Sequence, residues 1–343
     1  MNRKKILLIL LLLVVSTILS FVGYSYYSLF KKPFSGDSDL KLYVYPTTEF
    51  DSIQPLLNQN GNSFQRLLFD QLCHYKQLPV RLKPGHYVIS KGSSVHQVYR
   101  LLSGGLQTPV TVTFNNVRTL DQLAKRLSEQ MMGDSLTYLR LLTDSANAAG
   151  FGFTLQQFPA MFLPNTYEVY WTVLPQQFLQ RMSDEYRKFW NQDRLSKADK
   201  LGITPIQASI IASIAEEETN DRKEIGTVCG LYYNRIKRGM PLQADPTVKF
   251  AMGTFEINRV LLKHLEFDSP YNTYKYPGLP PGPIRIPEGR TIDALLNHTP
   301  HTYLYMCAKE DFSGSHNFAT TLSEHNRNAA RYQNALNAKR IFR

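Results

Sequence analysis

From Ile6 to Phe30 the chain reads ILLILLLLVVSTILSFVGYSYYSLF, with no charged position. As a helix, these 25 residues rise roughly 37 Å, against about 30 Å for the hydrocarbon core of a bilayer. Residues 1–30 therefore predict a membrane-spanning anchor. Tyr24, Tyr26 and Tyr27 suit an interfacial belt, and Lys31 and Lys32 close the span. Arg3, Lys4 and Lys5 precede it, which favours a cytoplasmic N-terminus and puts the rest of the chain outside the cytoplasm. The alternative is a cleaved signal peptide. The apolar run is followed by no good small-x-small cleavage site and no lipobox cysteine, which favours the retained anchor.

Beyond the anchor, the pattern shortens and alternates. Residues 31–40, KKPFSGDSDL, read as a short polar linker. KLYVYP alternates as a strand does. SFQRLLFDQLCHY spaces Phe64, Leu67, Leu68 and Leu72 as a helix does, LKPGHYVIS is a turn into a strand, and SVHQVYRLLSGG is a helix ended by glycines. This is an α/β module over residues 41–112. PVTVTFNN and TLDQLAKRLSEQM add a strand and a helix, the latter capped by Thr119 with Gln122 three residues on. Gly133 to Lys200 is mostly helical, interrupted where LPNTYEVYW runs from a loop into an extended segment. After Leu201 come two strong helices and then a long part rich in Pro, Gly, Asn and Tyr. Thr204, Pro205 and Gln207 form a capping signature for the first helix. Asn220 or Asp221 ends it and caps the second, with Glu224 three past Asp221. The second helix carries Ile225, Val228, Leu231, Tyr232 and Ile236 at helical spacing, with Gly239 at its end. The fold class is α+β: an N-terminal transmembrane helix, an α/β module, and a mixed α+β domain with a helical core over residues 113–343.

Composition and charge narrow the partners. A chain of 343 residues predicts two or three domains. A net charge of +11 favours an acidic partner: nucleic acid, an anionic membrane surface or a charged wall polymer. The anchor puts the chain outside the cytoplasm and so argues against nucleic acid. Cys73, Cys229 and Cys307 form no disulfide framework and read as small buried side chains. His298 and His301 are separated by Pro300 and lack an acidic or cysteine partner nearby, so no metal is expected. With no P-loop or dinucleotide fingerprint, no cofactor is expected either.

Candidate chemistry gathers at the end of the first strong helix, SIIASIAEEETNDRKE, where Glu216, Glu217 and Glu218 are consecutive. On a wheel of about 100° per residue with Ile210 at zero, Ile203, Ile206, Ile211 and Ile214 fall between about −40° and +100°. Glu217 falls at about −20° and Glu218 at about 80°, beside this stripe, and Glu216 at about 240°, on the opposite face. Glu216 is thus the expected solvated residue. Glu217 and Glu218 lie where desolvation can raise a carboxyl pKa, as an acid that cleaves a glycosidic bond requires. Against this stands the ordinary case, in which glutamates at a helix end are solvated.

Downstream, the loops offer amides, hydroxyls and ring faces suited to a sugar polymer in a cleft, although Pro, Gly and Asn punctuate any turn. Together ASIAEEET, YYNRIKRGMPLQADPTV, DSPYNTY, GLPPGPI and GSHNFATTLSEHN resemble the signature blocks of the endolytic murein transglycosylases, the MltG or YceG-like family, in order and spacing. The resemblance is strong over residues 201–326. FLPNTYEVY resembles an upstream block, and LKPGHYVISKGSSVHQVYRLLSGG resembles, more loosely, the family's LysM-like subdomain. One stretch departs from the pattern. FNNVRTL stands where the family often has a Glu-Gly pair, upstream of the proposed chemistry.

The resemblance implies that Glu218, directly before Thr219, is the catalytic acid and that Glu217 fills a variable position. It implies cleavage of the MurNAc–GlcNAc bond within glycan strands, leaving 1,6-anhydro ends, by a protein of the inner (plasma) membrane with its catalytic domain in the periplasm. It further implies peptidoglycan as substrate and work beside wall synthases (penicillin-binding proteins) in terminating nascent strands. Gln243, Asp245, Tyr271, Asn272 and Tyr274 are expected at the substrate. For Asp245, capping a helix that starts at Pro246 is as good a reading as contacting sugar. His316 and Asn317 are expected to line the cleft or serve the core. Two rivals remain open at this point: a glycan-strand hydrolase (a muramidase), for which Asp245 is the best second carboxylate, and a non-catalytic wall-binding scaffold.

Overall fold

The computed structural model describes residues 3–57, 59, 61–257 and 259–339. The chain divides into two compact units. The first holds residues up to Val112, together with 130–132 and 168–173; the second holds the rest.

The first unit begins with α1 (Arg3–Phe30). Among the described residues it is the one helix long and apolar enough to cross a membrane, and its most apolar 18 residues are unburied. Then follow β1 (Leu40–Val44), α2 (Phe50–Leu57), α3 (Ser63–Tyr75), α4 (Leu78–Arg81), β2 (Gly85–Ile89) and α5 (Val95–Gly104). β1 and β2 pair antiparallel, from Leu40 opposite Ile89 to Val44 opposite Gly85. Caps fix the helices. Asn62 and Gln65 form a capping box for α3, Ser94 and Gln97 another for α5, and Gly105 ends α5 in the left-handed region that glycine tolerates. Phe69, Leu78, Tyr87, Val98 and Leu102 lead the core.

Residues 31–40, expected as a linker, are seated on this core. Phe34 is fully buried against Phe69, ring centroids 5.0 Å apart. The backbone N–H groups of Phe34 and Ser35 both donate to the Ser93 carbonyl. A single apolar side chain in a polar stretch is enough to dock it. The buried Gln65 amide also donates to the carbonyls of Ser28, Lys32 and Pro33, where α1 ends.

After the first unit's α5 come β3 (Val110–Phe114) and β4 (Asn165–Val169), each divided between the units at Val112 and at Tyr167; the second unit also holds α6 (Leu120–Ser128), α7 (Ser135–Thr143), α8 (Ser145–Gly150), a 3-10 turn (Phe158–Met161), α9 (Pro175–Phe189) and α10 (Gln192–Leu201). Next come α11 (Pro205–Glu218), α12 (Ile225–Lys237), α13 (Asp245–Met252), α14 (Leu262–Leu265), α15 (Gly289–Leu296), β5 (Tyr305–Ala308), β6 (His316–Ala319) and α16 (Leu322–Ala338). β3 pairs with β4. β5 and β6 form an antiparallel hairpin that puts Ala308 opposite His316. Cys73 and Cys229 are buried and Cys307 is half-buried; all three are free thiols.

Helix α11 is the axis of this unit. The Thr204 side chain and Gln207 close the expected capping box, with Pro205 at the first helical position. From Ala208 to Ala215 every residue is buried. A helix apolar on all sides belongs in the middle of a domain. Alanines and serines at 208, 209, 212, 213 and 215 let neighbouring elements approach closely. Buried Ser213 is satisfied twice, donating to Ile210 O at 2.7 Å and accepting Ile284 N–H at 3.1 Å. The second of these bonds brings in the GLPPGPI segment. Gly282 there lies so close to the chain at Gln156 that a Cβ would stand 1.8 Å from its carbonyl oxygen, so only glycine fits.

Candidate active site

The last turn of α11 gives its three glutamates three different surroundings. The sequence placed Glu216 on a solvated face, and the structure overturns this. Its side chain is 9% exposed and its Oε1 accepts the Glu288 N–H at 2.7 Å. Arg285 Nε stands 3.1 Å from Oε2, close enough for an ion pair but off the line of a hydrogen bond. The wheel failed because it assumed one wet face, and α11 has none along its buried length. Withdrawal from water raises the Glu216 carboxyl to about 7 against the pull of Thr291, Arg285 and the Glu288 amide.

Glu217 is held by two guanidinium groups. Arg118 grips it in a fork, Nε to Oε1 at 2.9 Å and Nη2 to Oε2 at 2.8 Å, and Arg285 Nη1 reaches Oε1 at 3.0 Å. Arg285 Nη2 also donates to Asn116 Oδ1 at 2.9 Å. Asn116 and Arg118 belong to FNNVRTL, the stretch that departs from the family pattern. It lies far upstream in sequence and yet folds against the residue next to Glu218.

Glu218 faces a cavity of about 220 Å³ that Tyr232, Arg235, Gln243, Asp245 and Tyr274 help to line. It is half-buried, and the Tyr232 hydroxyl donates to its Oε1 at 2.7 Å. Its carboxyl is raised to about 7, chiefly by desolvation and further by the charge of Asp245. Tyr232, His316 and Lys249 oppose the rise. Such a group is protonated in a large fraction of molecules near neutrality and can give up that proton there. Burial and the neighbouring Glu218 push the Tyr232 hydroxyl well above its usual range, so it stays a donor. Glu216, equally raised, also lines a cavity, of about 440 Å³, but is fastened to a backbone amide and a guanidinium; Glu218 has a hydroxyl partner.

Backbone and side-chain ties shape the cavity. Buried Arg235 donates to Leu304 O at 2.6 Å, Leu242 O at 2.7 Å and Pro241 O at 3.2 Å, fastening the loop after α12. In that loop Gln243 takes the left-handed conformation, φ 50°, with its N–H bonded to Thr273 O at 3.2 Å. A non-glycine residue there is held by its surroundings. Thr273 Oγ1 accepts the Ala244 N–H and bonds Thr247 Oγ1 at 2.9 Å. Asp245 opens α13 as its first residue, with Ala244 as the cap, and its side chain accepts the Tyr274 hydroxyl at 2.5 Å.

Of the residues singled out from the sequence, Glu218, Gln243, Asp245 and Tyr274 meet at this cavity. Asn272 is fully buried behind it. Its amide donates to Leu265 O and Phe267 O, both at 2.8 Å, and its Oδ1 accepts the Tyr274 N–H, so it shapes the loop that presents Tyr274. Tyr271 packs against Phe250, centroids 4.8 Å apart. His316 pairs with Glu224 and Asn317 donates to Glu310 at 2.8 Å. His298 and His301 turn ring nitrogens to the carbonyls of Leu295 and Thr227. The sequence reading missed three neighbours of the glutamate cluster. Tyr232 was absorbed into the apolar face of its helix, Glu224 was read only as the residue three past a capping Asp221 although it is itself the cap residue of α12, and Arg285 had no local signal at all.

These elements bring together a carboxyl at a helix end, raised to about 7, a tyrosine donor and a second carboxylate. The sequence model of the YceG-like family matches residues 42–331, and the chain belongs to that family. An endolytic murein transglycosylase of Bacillus subtilis (strain 168) is 43% identical over 129 residues, 38% of this chain and 35% of that protein. Another endolytic murein transglycosylase, from Streptococcus pneumoniae serotype 2 (strain D39), is 29% identical over 338 residues, 87% of this chain and 60% of that protein. The chain thus matches 35% to 60% of the length of these relatives. A crystal structure of a yceG-like protein from Listeria monocytogenes is similar with a TM-score of 0.54 at 25% identity, covering 85% of this chain and 99% of that one.

Proposed function

We propose that the chain is a membrane-anchored lytic transglycosylase that cuts peptidoglycan glycan strands internally, with Glu218 as its acid. The observation that carries this reading is a carboxyl raised to about 7, hydrogen-bonded to Tyr232 and open to a polar cavity. The relatives named endolytic murein transglycosylases supply the substrate class.

In the reaction, Glu218 donates its proton to the oxygen between N-acetylmuramic acid and N-acetylglucosamine, and that bond breaks. The muramyl acetamido group stabilises the developing positive charge. The muramyl 6-hydroxyl then bonds to C1 and yields its proton to the Glu218 carboxylate. The acid is restored, no water is consumed, and a 1,6-anhydro end remains. Acid–base help of this kind is worth about 10² to 10⁴ in rate, with positioning and sugar distortion supplying the rest. Gln243, Asp245 and Tyr274 are assigned to sugar contact, with Tyr271 and Asn272 behind them and His316 and Asn317 beside the cleft.

The anchor, with Arg3, Lys4 and Lys5 before it, supports a cytoplasmic N-terminus and an extracytoplasmic catalytic unit. The LysM-like reading of the first unit follows from the family resemblance; there β1 and β2 pair antiparallel, with α2, α3 and α4 between them in the chain. Termination of nascent strands beside wall synthases follows from the family resemblance. A second reading, strand hydrolysis, is favoured by one observation: Asp245 supplies a second carboxylate at the same cavity.

The experiment is cleavage of purified glycan strands by Glu218→Gln and Glu216→Gln. Loss of cleavage in the first with folding retained, and a much milder loss in the second, is expected. Full activity in Glu218→Gln would sink the assignment and favour a scaffold.

A further inference from the structure

We propose that Glu224 and His316 form a positioning dyad for Glu218, a role that rests on the function proposed above. Glu224 directly precedes α12 and is 8% exposed. A carboxylate so withdrawn needs donors, and it has three. Thr219 Oγ1 donates to Oε1 at 2.6 Å, His316 Nδ1 meets the same oxygen at 2.6 Å, and the His316 backbone N–H donates to Oε2 at 2.9 Å. Thr219 is the residue after the acid and the C-cap of α11, and His316 is the first residue of β6. One buried carboxylate therefore ties the end of the acid's helix to the start of the hairpin's second strand.

The dyad also sets the imidazole's chemistry. An ionised carboxylate only accepts hydrogen bonds, so Nδ1 carries the hydrogen that faces Glu224, which fixes the ring's orientation. Nε2 has no protein partner among the described residues. In its protonated form the ring favours an ionised Glu218, as does Lys249, while Asp245 disfavours it and the Tyr232 hydroxyl favours it. The groups facing His316 itself are Glu224 and the Phe318 ring, centroids 6.5 Å apart. When Glu218 gives its proton to the leaving oxygen, it becomes an anion within the imidazole's electrostatic reach. The dyad fixes the imidazole, whose charge favours that anion, without touching the sugar.

The test uses the full chain in detergent on purified glycan strands, comparing Glu224→Gln, His316→Gln and the double variant. kcat, KM, the pH profile and Tm are all read. We expect kcat to fall roughly 10- to 100-fold with KM little changed. The double variant falls no further than the worse single one, because the two residues act as a unit. In His316→Gln the alkaline fall in activity moves to higher pH, since losing a nearby cation makes Glu218 a weaker acid. A merely structural role would lower Tm and leave that limb in place, and this result overturns the proposal, as does an unchanged kcat. If Glu224→Gln fails to fold, His316→Gln decides alone. Wild type that leaves strands uncut, or cuts them without anhydro ends, overturns the parent reading and the dyad with it. Wild type that forms anhydro ends, with His316→Gln unaltered in kcat and pH limb, overturns the dyad alone.

Discussion

Replacing Tyr232 with Phe removes one atom from the site and leaves the ring's packing. Tyr232 is 3% exposed and its hydroxyl donates to Glu218 Oε1 at 2.7 Å. A hydrogen bond to a charged group is worth about 1.5–3 kcal/mol, and one pKa unit corresponds to about 1.4 kcal/mol. The hydroxyl also bonds the neutral acid, more weakly, so only the difference acts on the equilibrium. The Glu218 carboxyl, at about 7 in the wild type, should therefore rise by roughly one unit in Tyr232→Phe. Because the proposed acid must be protonated, activity falls as pH passes its pKa. The alkaline limb of kcat against pH should shift upward by that amount. On the acid side kcat should drop roughly tenfold, since the lost bond strengthens as Glu218 becomes charged in the transition state. The assay is release of soluble fragments from purified strands between about pH 5 and pH 9, a range chosen to bracket neutral carboxyl titrations. A limb that stays put, or moves to lower pH, refutes the idea that Tyr232 stabilises the carboxylate form of Glu218.

Further outcomes follow from the same geometry. Glu218 is raised from 4.5 to about 7 in the folded chain, so the folded state holds its proton more tightly than the unfolded one. Its contribution to stability is present in full below about pH 4.5 and is lost as pH rises through about 7. Glu218→Gln removes this penalty, an effect of at most about 3 kcal/mol and less where the cavity admits water. Thermal melts should show the variant gaining on wild type between pH 5 and pH 8; an advantage that shrinks with pH contradicts the sign. Around Glu216, Arg285→Ala should cost about 3–5 kcal/mol, because it leaves a withdrawn carboxyl without its cation. Glu216→Gln should cost only about 1 kcal/mol, because Arg285 keeps Glu217 and Asn116. Denaturant titration that reverses this order refutes the network as described.

What the sequence made legible was local. The capping signatures at Thr119 and Thr204 needed only neighbouring residues, and the helices they start are present. The apolar anchor announced itself by length. Other elements were hidden because their signal is not local. α16, LSEHNRNAARYQNALNA, buries only Asn328 and Leu336, so it has no apolar stripe to read. α2 carries Pro55 inside it, and the β5–β6 hairpin is half-buried along most of its length. At the site the wheel correctly put Glu218 beside apolar surface, but it misjudged Glu216. A wheel knows angles and not what stands opposite, and what stands opposite Glu216 is Arg285 and the Glu288 amide. The same limit hid Glu224. Its partners, Thr219 on one side and His316 on the other, are brought together only by the fold.

The central claim is that Glu218 drives an intramolecular ring closure on the glycan. Mass spectrometry of the strand ends made by wild type, with Glu218→Gln alongside, tests it most directly. The account predicts wild-type ends lighter by one water than hydrolysed ends, as 1,6-anhydro sugars are, and no new ends from the folded variant. Reducing ends from wild type, or anhydro ends from Glu218→Gln, would contradict it.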